Sequence, residues 1–268
     1  LATSHVFFTY QGTTVGGVAV APKASPGAVV CIECEVGIPR ALEVNATHVY
    51  WSDTALNEVR RAVIGGGGSP TTLWTGTPGT YLALDAAGVY WYDDANDNVM
   101  GANLDGSNPR VLAGSQPNVG SMHADRGVLF WTTNSSVLAL DLASANAPLP
   151  LATGRNNPAS VDVDATHVYW AEGTWNQPDN AVLRVPRGGG SVEAVTTTGA
   201  TDVFSIALDT THVYAAGSSG GTIWRVPKAG GSPEFLATGL SYPFFIAIDA
   251  TDVYFTSETT AQVFRLSK

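Results

Sequence analysis

The chain has 268 residues, of which 44% are hydrophobic and only 13% are charged, with 29 glycines and 15 prolines. This composition predicts a sizeable core with many turns, and no apolar run is long enough to cross a membrane as a helix. The net charge of −10 disfavours nucleic acid as a partner, because an acidic surface repels phosphate backbones.

A motif of the type His-Val-Tyr-Trp recurs along the whole chain. It stands unchanged at 48–51 and 167–170, and close variants follow at intervals of 39 to 45 residues. Its valine is found at Val6, Val49, Val89, Val128, Val168, Val213 and Val253. A repeat of roughly 40 residues built from short strands is typical of the blade of a β-propeller.

Each repeat is predicted to hold four short strands, called a to d, with turn residues between them. Residues 81–85 exemplify strand a, the motif forms strand b, and 223–227 and 234–237 exemplify strands c and d. The first repeat lacks strand a and the last lacks strand d. We expect one domain over 1–268 with repeats near 1–40, 41–79, 80–118, 119–158, 159–203, 204–243 and 244–268. The predicted fold is an all-β propeller of four-stranded antiparallel sheets, with seven blades favoured and six as the alternative.

Two stretches give the repeat a resemblance to a known family. HVYWSD (48–53) and GANLDGSNPRVL (101–112) resemble the YWTD repeat of lipoprotein-receptor-type propellers, and VPKAGGSP (226–233) resembles bacterial secreted propellers of the same broad superfamily. The resemblance implies the fold and leaves activity open, because propellers include both binding proteins and enzymes. YWTD propellers usually have six blades, so the seventh copy departs from that pattern.

Several polar positions recur with the motif and are predicted to belong to the scaffold. A histidine precedes the valine at His5, His48, His167 and His212. An Asp or Asn ends strand a at Asn45, Asp85, Asp125, Asp164, Asp209 and Asp249, where its side chain is expected to close the turn. Arginines recur in strand c at Arg60, Arg184, Arg225 and Arg265, and we expect them to pair with carboxylates or to pack their stems between blades.

One column of strand a breaks the pattern. Two positions before the terminal Asp or Asn, Glu43, His123 and Asp162 interrupt a column that is otherwise alanine. The period of a strand puts all three on one face, and strand a is the innermost strand of a blade, so we expect them to approach the central channel. Two carboxylates and an imidazole suit one divalent metal ion as cofactor, or an acid–base group. A hydrated polar channel is the alternative.

The connections between strands b and c and between strands d and a also differ among the repeats. Because repetition encodes scaffold, these loops are predicted to bind the ligand, through Tyr92, Asp93, Arg155, Asn156, Glu172, Trp175, Tyr242 and Phe244. A tryptophan outside the repeat pattern, with amides and carboxylates nearby, suits stacking on a sugar ring or gripping a peptide. The alternative is that Trp175 folds over the rim as a lid.

The two cysteines, Cys31 and Cys34, are predicted to form a local disulfide, as in a secreted, periplasmic or cell-surface protein. In a strand, residues three apart lie on opposite faces, so this bridge requires a bulge or a turn.

The function predicted from these features is a secreted, non-catalytic binding propeller for a glycan, peptide or protein partner. The alternatives are a metal-assisted hydrolase or lyase that uses Glu43, His123 and Asp162, and an interaction module of a larger surface assembly. No G-x-S-x-G motif occurs, so a serine hydrolase has no support.

Overall fold

The structure is a computed structural model, and it describes residues 4–12, 16–24, 27–34, 37–65, 68–144, 146–173, 181–197 and 203–268. Over these residues 26 strands form seven antiparallel sheets, numbered here in chain order, and no helix occurs. Accordingly, no helix in the described ranges is long and apolar enough to span a membrane.

Sheets 1 to 3 follow one another along the first part of the chain. Sheet 1 contains β1 (His5–Gln11), β2 (Gly16–Pro22) and β3 (Val30–Glu33). Sheet 2 contains β4 (Pro39–Val44), β5 (His48–Asp53), β6 (Glu58–Val63) and β7 (Thr71–Thr75). Sheet 3 contains β8 (Pro78–Leu84), β9 (Gly88–Asp93), β10 (Asn98–Asn103) and β11 (Arg110–Ala113).

The remaining four sheets repeat the same order. Sheet 4 contains β12 (Ser121–Asp125), β13 (Val128–Thr132), β14 (Ser136–Asp141) and β15 (Leu149–Thr153), and sheet 5 contains β16 (Val161–Val163), β17 (His167–Glu172), β18 (Ala181–Pro186) and β19 (Glu193–Thr197). Sheet 6 contains β20 (Val203–Leu208), β21 (His212–Gly217), β22 (Thr222–Pro227) and β23 (Glu234–Ala237), and sheet 7 contains β24 (Pro243–Ile248), β25 (Asp252–Ser257) and β26 (Gln262–Ser267).

These seven sheets are the blades of a seven-bladed β-propeller, which confirms the predicted fold class and the preferred blade number. Among the described residues, sheet 1 lacks strand a and sheet 7 lacks strand d, as the strand inventory predicts. Backbone contacts divide the chain into two compact units. Unit 1 is Leu1–Leu129 with Asp141–Ala147, and unit 2 is Phe130–Leu140 with Pro148–Lys268, so the boundary passes through sheet 4. The single domain over 1–268 stays a prediction.

The motif recurs because its side chains pack on both faces of their sheet. In β5, Val49 and Trp51 are fully buried in a cluster that includes Phe7 of sheet 1. Tyr50 lies between them and faces the other way, into a cluster with Trp91 of sheet 3. This alternation follows from the two-residue period of a strand. Burying each such side chain contributes roughly 1.5–3 kcal/mol, so this copy of the motif joins sheet 2 to sheets 1 and 3.

One side chain closes the turn between strands a and b in the same way in successive sheets. Oδ1 of Asp164 accepts hydrogen bonds from the amides of Thr166 and His167 at 2.8 and 2.9 Å. Its Oδ2 accepts from the hydroxyl of Tyr169 at 3.1 Å and from Nζ of Lys228, in the next sheet, at 3.0 Å. The same two amide bonds occur at Asn45, Asp85, Asp209 and Asp249, which confirms the predicted turn role at these positions.

The histidines of the motif share one local contact. In all four, Nδ1 lies 2.7–2.8 Å from the hydroxyl oxygen of the preceding Ser or Thr. The repetition of this contact agrees with a scaffold role for His5, His48, His167 and His212.

A bulge allows the predicted disulfide to form. Val18 of β2 pairs with Glu33 and Ala19 pairs with Cys31, so one residue of β3 is left over in the ladder. The bulge brings the Cα atoms of Cys31 and Cys34 to 5.8 Å, and the two cysteines are joined by a disulfide bond.

Candidate binding surface

Three phenylalanines form an aromatic group in unit 2, where strands a of sheets 6 and 7 begin. The rings of Phe204 in β20 and Phe244 in β24 stack with 3.8 Å between their centroids and 24° between their planes. Phe245 meets both rings edge-on, at 5.8 and 5.0 Å, and is 48% exposed. Of the three, only Phe244 is predicted from the sequence.

Tyr242 lies two residues before Phe244, in the connection that leads into the same strand. It is 44% exposed, and its backbone adopts the left-handed conformation with φ of 46°. A bulky residue rarely adopts this conformation, and strain of this kind is often retained at binding sites. The amide of Glu258 donates to the Tyr242 carbonyl at 3.3 Å and so helps to hold the loop. We call Phe204, Tyr242, Phe244 and Phe245 the aromatic rim.

Arg155, Asn156 and Glu172 are brought together, but in an internal network. The Arg155 guanidinium donates two hydrogen bonds to the Glu172 carboxylate, at 2.9 and 2.8 Å. The indole of Trp170 also donates to Glu172 at 2.8 Å, as does the amide of Asn156 at 3.3 Å. Glu172 is buried, with 9% of its surface exposed. The network therefore fixes the end of β17, and its carboxylate is already satisfied without a ligand.

Tyr92 and Asp93 lie beneath the surface of unit 1, with 2% and 4% of their surfaces exposed. The Tyr92 hydroxyl donates to Asp97 at 2.6 Å, and burial together with this hydrogen bond raises the pKa of Tyr92. Asp93 accepts a hydrogen bond from the Asn96 side chain at 2.8 Å. Neither side chain is presented for direct contact with a ligand. Trp175 lies outside the described residues.

The predicted metal ligands do not form a cluster. Within the described ranges, no group of three or more His, Cys, Asp or Glu side chains could hold a metal ion. Oδ2 of Asp162 accepts a hydrogen bond from the amide of Leu208, in the next sheet, at 3.0 Å. His123 is half-buried in β12.

The register shows which face of its sheet this column occupies. Glu43 pairs with Tyr50 and Asp162 pairs with Tyr169, and residues paired across strands share a face. Tyr50 packs against sheet 3, so this face of sheet 2 is turned toward a neighbouring blade. In sheet 2, therefore, Glu43 lies on the face that is turned toward sheet 3.

A groove that the sequence analysis does not predict lies between sheets 2 and 3, within unit 1. It has a volume of about 330 Å³, and its lining includes His48, Tyr50, Arg61, Asn103, Leu104 and Asp105. Burial and the nearby Arg61 guanidinium lower the pKa of His48. His48 belongs to the repeated scaffold, so repetition gives no signal for the groove.

No protein-family model matches the chain. Among solved structures it is similar to the nidogen/laminin complex, with 19% identity, a TM-score of 0.63 and coverage of 98% of this chain and 89% of that chain. It is also similar to the computationally designed Ika8 protein, with 11% identity, a TM-score of 0.69 and coverage of 97% and 82%. Virginiamycin B lyase from Staphylococcus aureus is 14% identical, with a TM-score of 0.69 and coverage of 86% and 81%.

Similarity at these identities shows the fold alone. It confirms the fold-level resemblance to YWTD-type propellers, and it leaves binding and catalysis open because one of these neighbours is a binding complex and another is a lyase.

Proposed function

We propose that the chain is a non-catalytic binding module that recognises a protein partner through the aromatic rim. The observation that supports this function is the exposure of Tyr242 and Phe245, at 44% and 48%, beside two stacked rings. Aromatic side chains dominate the energetics of protein interfaces, because they bury a large area with few rotatable bonds. A similar fold takes part in the nidogen/laminin complex.

The strained backbone of Tyr242 adds to the argument. A glycine at this position would relieve the strain, because glycine adopts positive φ readily, but it would also remove the ring. A tyrosine held at φ of 46° fits a site where the position of the ring matters more than local stability.

The proposal extends to the compartment. The disulfide between Cys31 and Cys34 fits a protein that works in an oxidising environment, which supports a secreted, periplasmic or cell-surface location. Mass spectrometry of the chain isolated in the presence of an alkylating agent, without reduction, tests this, and two attached alkyl groups would contradict it.

The metal-assisted hydrolase or lyase is less well supported. A similar fold occurs in a lyase, but the described side chains offer no cluster of metal ligands, and Asp162 bonds to the backbone of the neighbouring sheet. The binding function is therefore preferred.

The binding proposal is tested with peptides selected from a phage-displayed library on the immobilised chain, followed by affinity measurement in solution. We expect Phe245→Ala and Tyr242→Gly each to weaken binding of the selected peptides by about 10-fold or more. Phe235→Ala is the matched control, because Phe235 is 54% exposed on β23 and lies outside the rim.

Stability measurements separate lost binding from lost folding. Tyr242→Gly removes the ring and relieves the strain, so its free energy of unfolding should stay unchanged or rise by about 1 kcal/mol. Equal affinity in the wild type and both rim variants would overturn the proposal. Binding to a glycan array that disappears in the rim variants would replace the protein partner with a sugar.

A further inference from the structure

The register shows which arginines of strand c are equivalent. The tyrosine of the motif pairs with Arg184 in sheet 5, with Arg225 in sheet 6 and with Arg265 in sheet 7. In sheet 2 the residue paired with Tyr50 is Arg61, while Arg60 pairs with Trp51. The prediction that Arg60 is equivalent to Arg184, Arg225 and Arg265 is therefore wrong by one residue. Arg61 is the equivalent residue, and we call these four arginines the column arginines.

In sheets 5 and 6 the column arginine has a carboxylate partner on strand d. Arg184 donates two hydrogen bonds to Oε2 of Glu193, at 2.9 and 2.7 Å, and Arg225 donates to Oε2 of Glu234 at 2.8 Å. In both sheets the two residues are direct partners in the strand ladder. The repeat therefore builds a guanidinium–carboxylate pair at this position.

Sheet 2 keeps the arginine and lacks the carboxylate. The ladder partner of Arg61 is Thr71, whose short side chain carries no charge. Nη1 of Arg61 donates to the carbonyl of Leu104 at 2.7 Å, just as Arg184 donates to the carbonyl of Lys228 at 2.6 Å. The shared contact fixes the guanidinium in the same place, but within the described part of the chain no ion pair satisfies its remaining N–H groups.

A second departure opens the groove beside Arg61. In unit 2 the gap between sheets is bridged by Lys228 with Asp164 at 3.0 Å and by Lys268 with Asp209 at 3.2 Å. Between sheets 2 and 3 the equivalent residues are Asn45 and Leu104, which have no charge, and Leu104 is shorter than lysine. Both residues line the groove of about 330 Å³.

Arg61 is the half-buried cationic donor of the groove, and its neighbours there make contacts of their own. His48 lies in the lining and has its Nδ1 2.8 Å from the Thr47 hydroxyl oxygen. Asp105 is exposed at the edge, where its carboxylate accepts from the amide and hydroxyl of Ser107 at 2.9 and 2.6 Å. The Ser107 hydrogen bonds and the charge of Arg61 lower the pKa of the Asp105 carboxyl, but among the described residues the two side chains make no ion pair within 4 Å.

We propose that this groove binds a ligand carboxylate, which takes the place that Glu193 and Glu234 fill in the sister sheets. A planar carboxylate matches the fork of N–H donors that a guanidinium presents. The site is independent of the aromatic rim. The net charge of −10 opposes free anions at long range, so a carboxylate carried on a larger ligand that makes further contacts is favoured.

The test is a titration of the isotope-labelled chain with N-acetylglutamate amide, glucuronate and sulfate, followed by NMR at constant ionic strength. We expect both carboxylates to shift the signals of His48 and Leu104. The pKa of His48 should also rise on binding, because the added negative charge counters the effect of Arg61. A stronger response to the amide than to glucuronate would indicate an acidic peptide, and the reverse would indicate a sugar acid.

Substitutions that copy the sister sheets make the test specific. Thr71→Glu places the missing carboxylate beside Arg61, so affinity should fall about 10-fold or more, as it should in Arg61→Gln. Thr71→Gln keeps the size of glutamate without its charge and should bind like the wild type. Arg126→Gln removes a charge from an arginine whose side chain is 67% exposed, and it should change affinity by less than about 2-fold.

Two outcomes would overturn the proposal. One is wild-type affinity in Thr71→Glu when its folding is intact, because the built-in carboxylate would then fail to compete. The other is a response to sulfate as strong as that to the carboxylates, which would show attraction of any anion.

Discussion

Replacing Asp164 by asparagine isolates one ion pair between sheets, because the chain already contains the neutral form of this turn. Asn45 makes the same amide hydrogen bonds as Asp164, and its Nδ2 donates to the hydroxyl of Tyr50 at 3.3 Å. Asp164→Asn should therefore keep the turn and lose only the attraction to Lys228.

The magnitude follows from the partial burial of the pair. The side chains of Asp164 and Lys228 are 23% and 13% exposed, so the pair is neither fully exposed nor fully buried. An exposed ion pair contributes at most about 1 kcal/mol, and breaking a buried one costs about 3–5 kcal/mol. We expect Asp164→Asn to lower the free energy of unfolding by about 2 kcal/mol at pH 7. Asp164→Asn combined with Lys228→Leu recreates the Asn45–Leu104 pair and should cost less than the sum of the two single changes.

The pH dependence has a defined sign. Burial opposes ionisation of Asp164, but hydrogen bonds from the amides of Thr166 and His167 and from Lys228 outweigh it, so the pKa of this carboxyl falls below its ordinary value of 3.8. Its stabilisation is therefore present above pH 3.8 and is lost as pH falls toward the lower pKa of the folded state. Urea unfolding at pH 7 and pH 3 should show the difference between wild type and variant shrinking at pH 3. A cost below about 0.5 kcal/mol at pH 7, or an equal cost at both pH values, would refute this reasoning.

Three further changes test other parts of the structure. Gly37→Ala should lower the free energy of unfolding by about 2–4 kcal/mol in a urea titration. The φ of Gly37 is 66°, and a Cβ there would lie 1.9 Å from Oδ2 of the buried Asp53. A loss below about 1 kcal/mol would contradict the geometry of that turn. Arg155→Ala should cost about 2–4 kcal/mol by the same assay, because the Glu172 carboxylate stays buried without its partner, and Arg155→Lys should recover only part of the loss. Burial and the neighbouring Asp249 carboxylate raise the pKa of Tyr254 to about 12, so its stabilising contribution is complete below pH 10 and is lost as pH rises toward 12. Ultraviolet titration should show one phenol that ionises near pH 12 in the wild type and is missing in Tyr254→Phe. Identical titration curves would contradict the assignment.

The fold could be predicted because the same pattern of strands and turns recurs along the sequence. Val49, Tyr50 and Trp51 alternate between the two faces of one strand, and the same alternation at every repeat fixes the strand and its neighbours. The turn role of Asp164 could be predicted for the same reason, since the side chain recurs at a position where an Asx residue closes a turn.

The candidate sites depend on strand register and on side-chain burial, and neither could be predicted from the sequence repeat. Glu43 belongs to an unusual column, but only its pairing with Tyr50 shows that the column faces a neighbouring sheet. Asp93 follows the motif where the sequence predicts a variable loop, but it is the last residue of β9 and only 4% of its surface is exposed. Phe245 is an ordinary apolar residue of a strand in the sequence, and only the structure shows that 48% of it is exposed beside two other rings.

The groove was hidden for a different reason, because its signal is the absence of side chains. Thr71 and Leu104 are unremarkable alone, and they become informative only when the ladder places them opposite Arg61 and in the position of Lys228. An alignment shifted by one residue, from Arg61 to Arg60, removes that information.

The central claim is that binding resides where the repeats differ and that the repeated positions are scaffold. Hydrogen–deuterium exchange of the chain, with and without a selected peptide, tests this claim directly. The account predicts new protection over residues 203–206 and 242–246, at the aromatic rim, with the repeated turns near residues 164–167 and 209–212 unchanged. Protection centred on those repeated turns, with residues 203–206 and 242–246 unaffected, would contradict it.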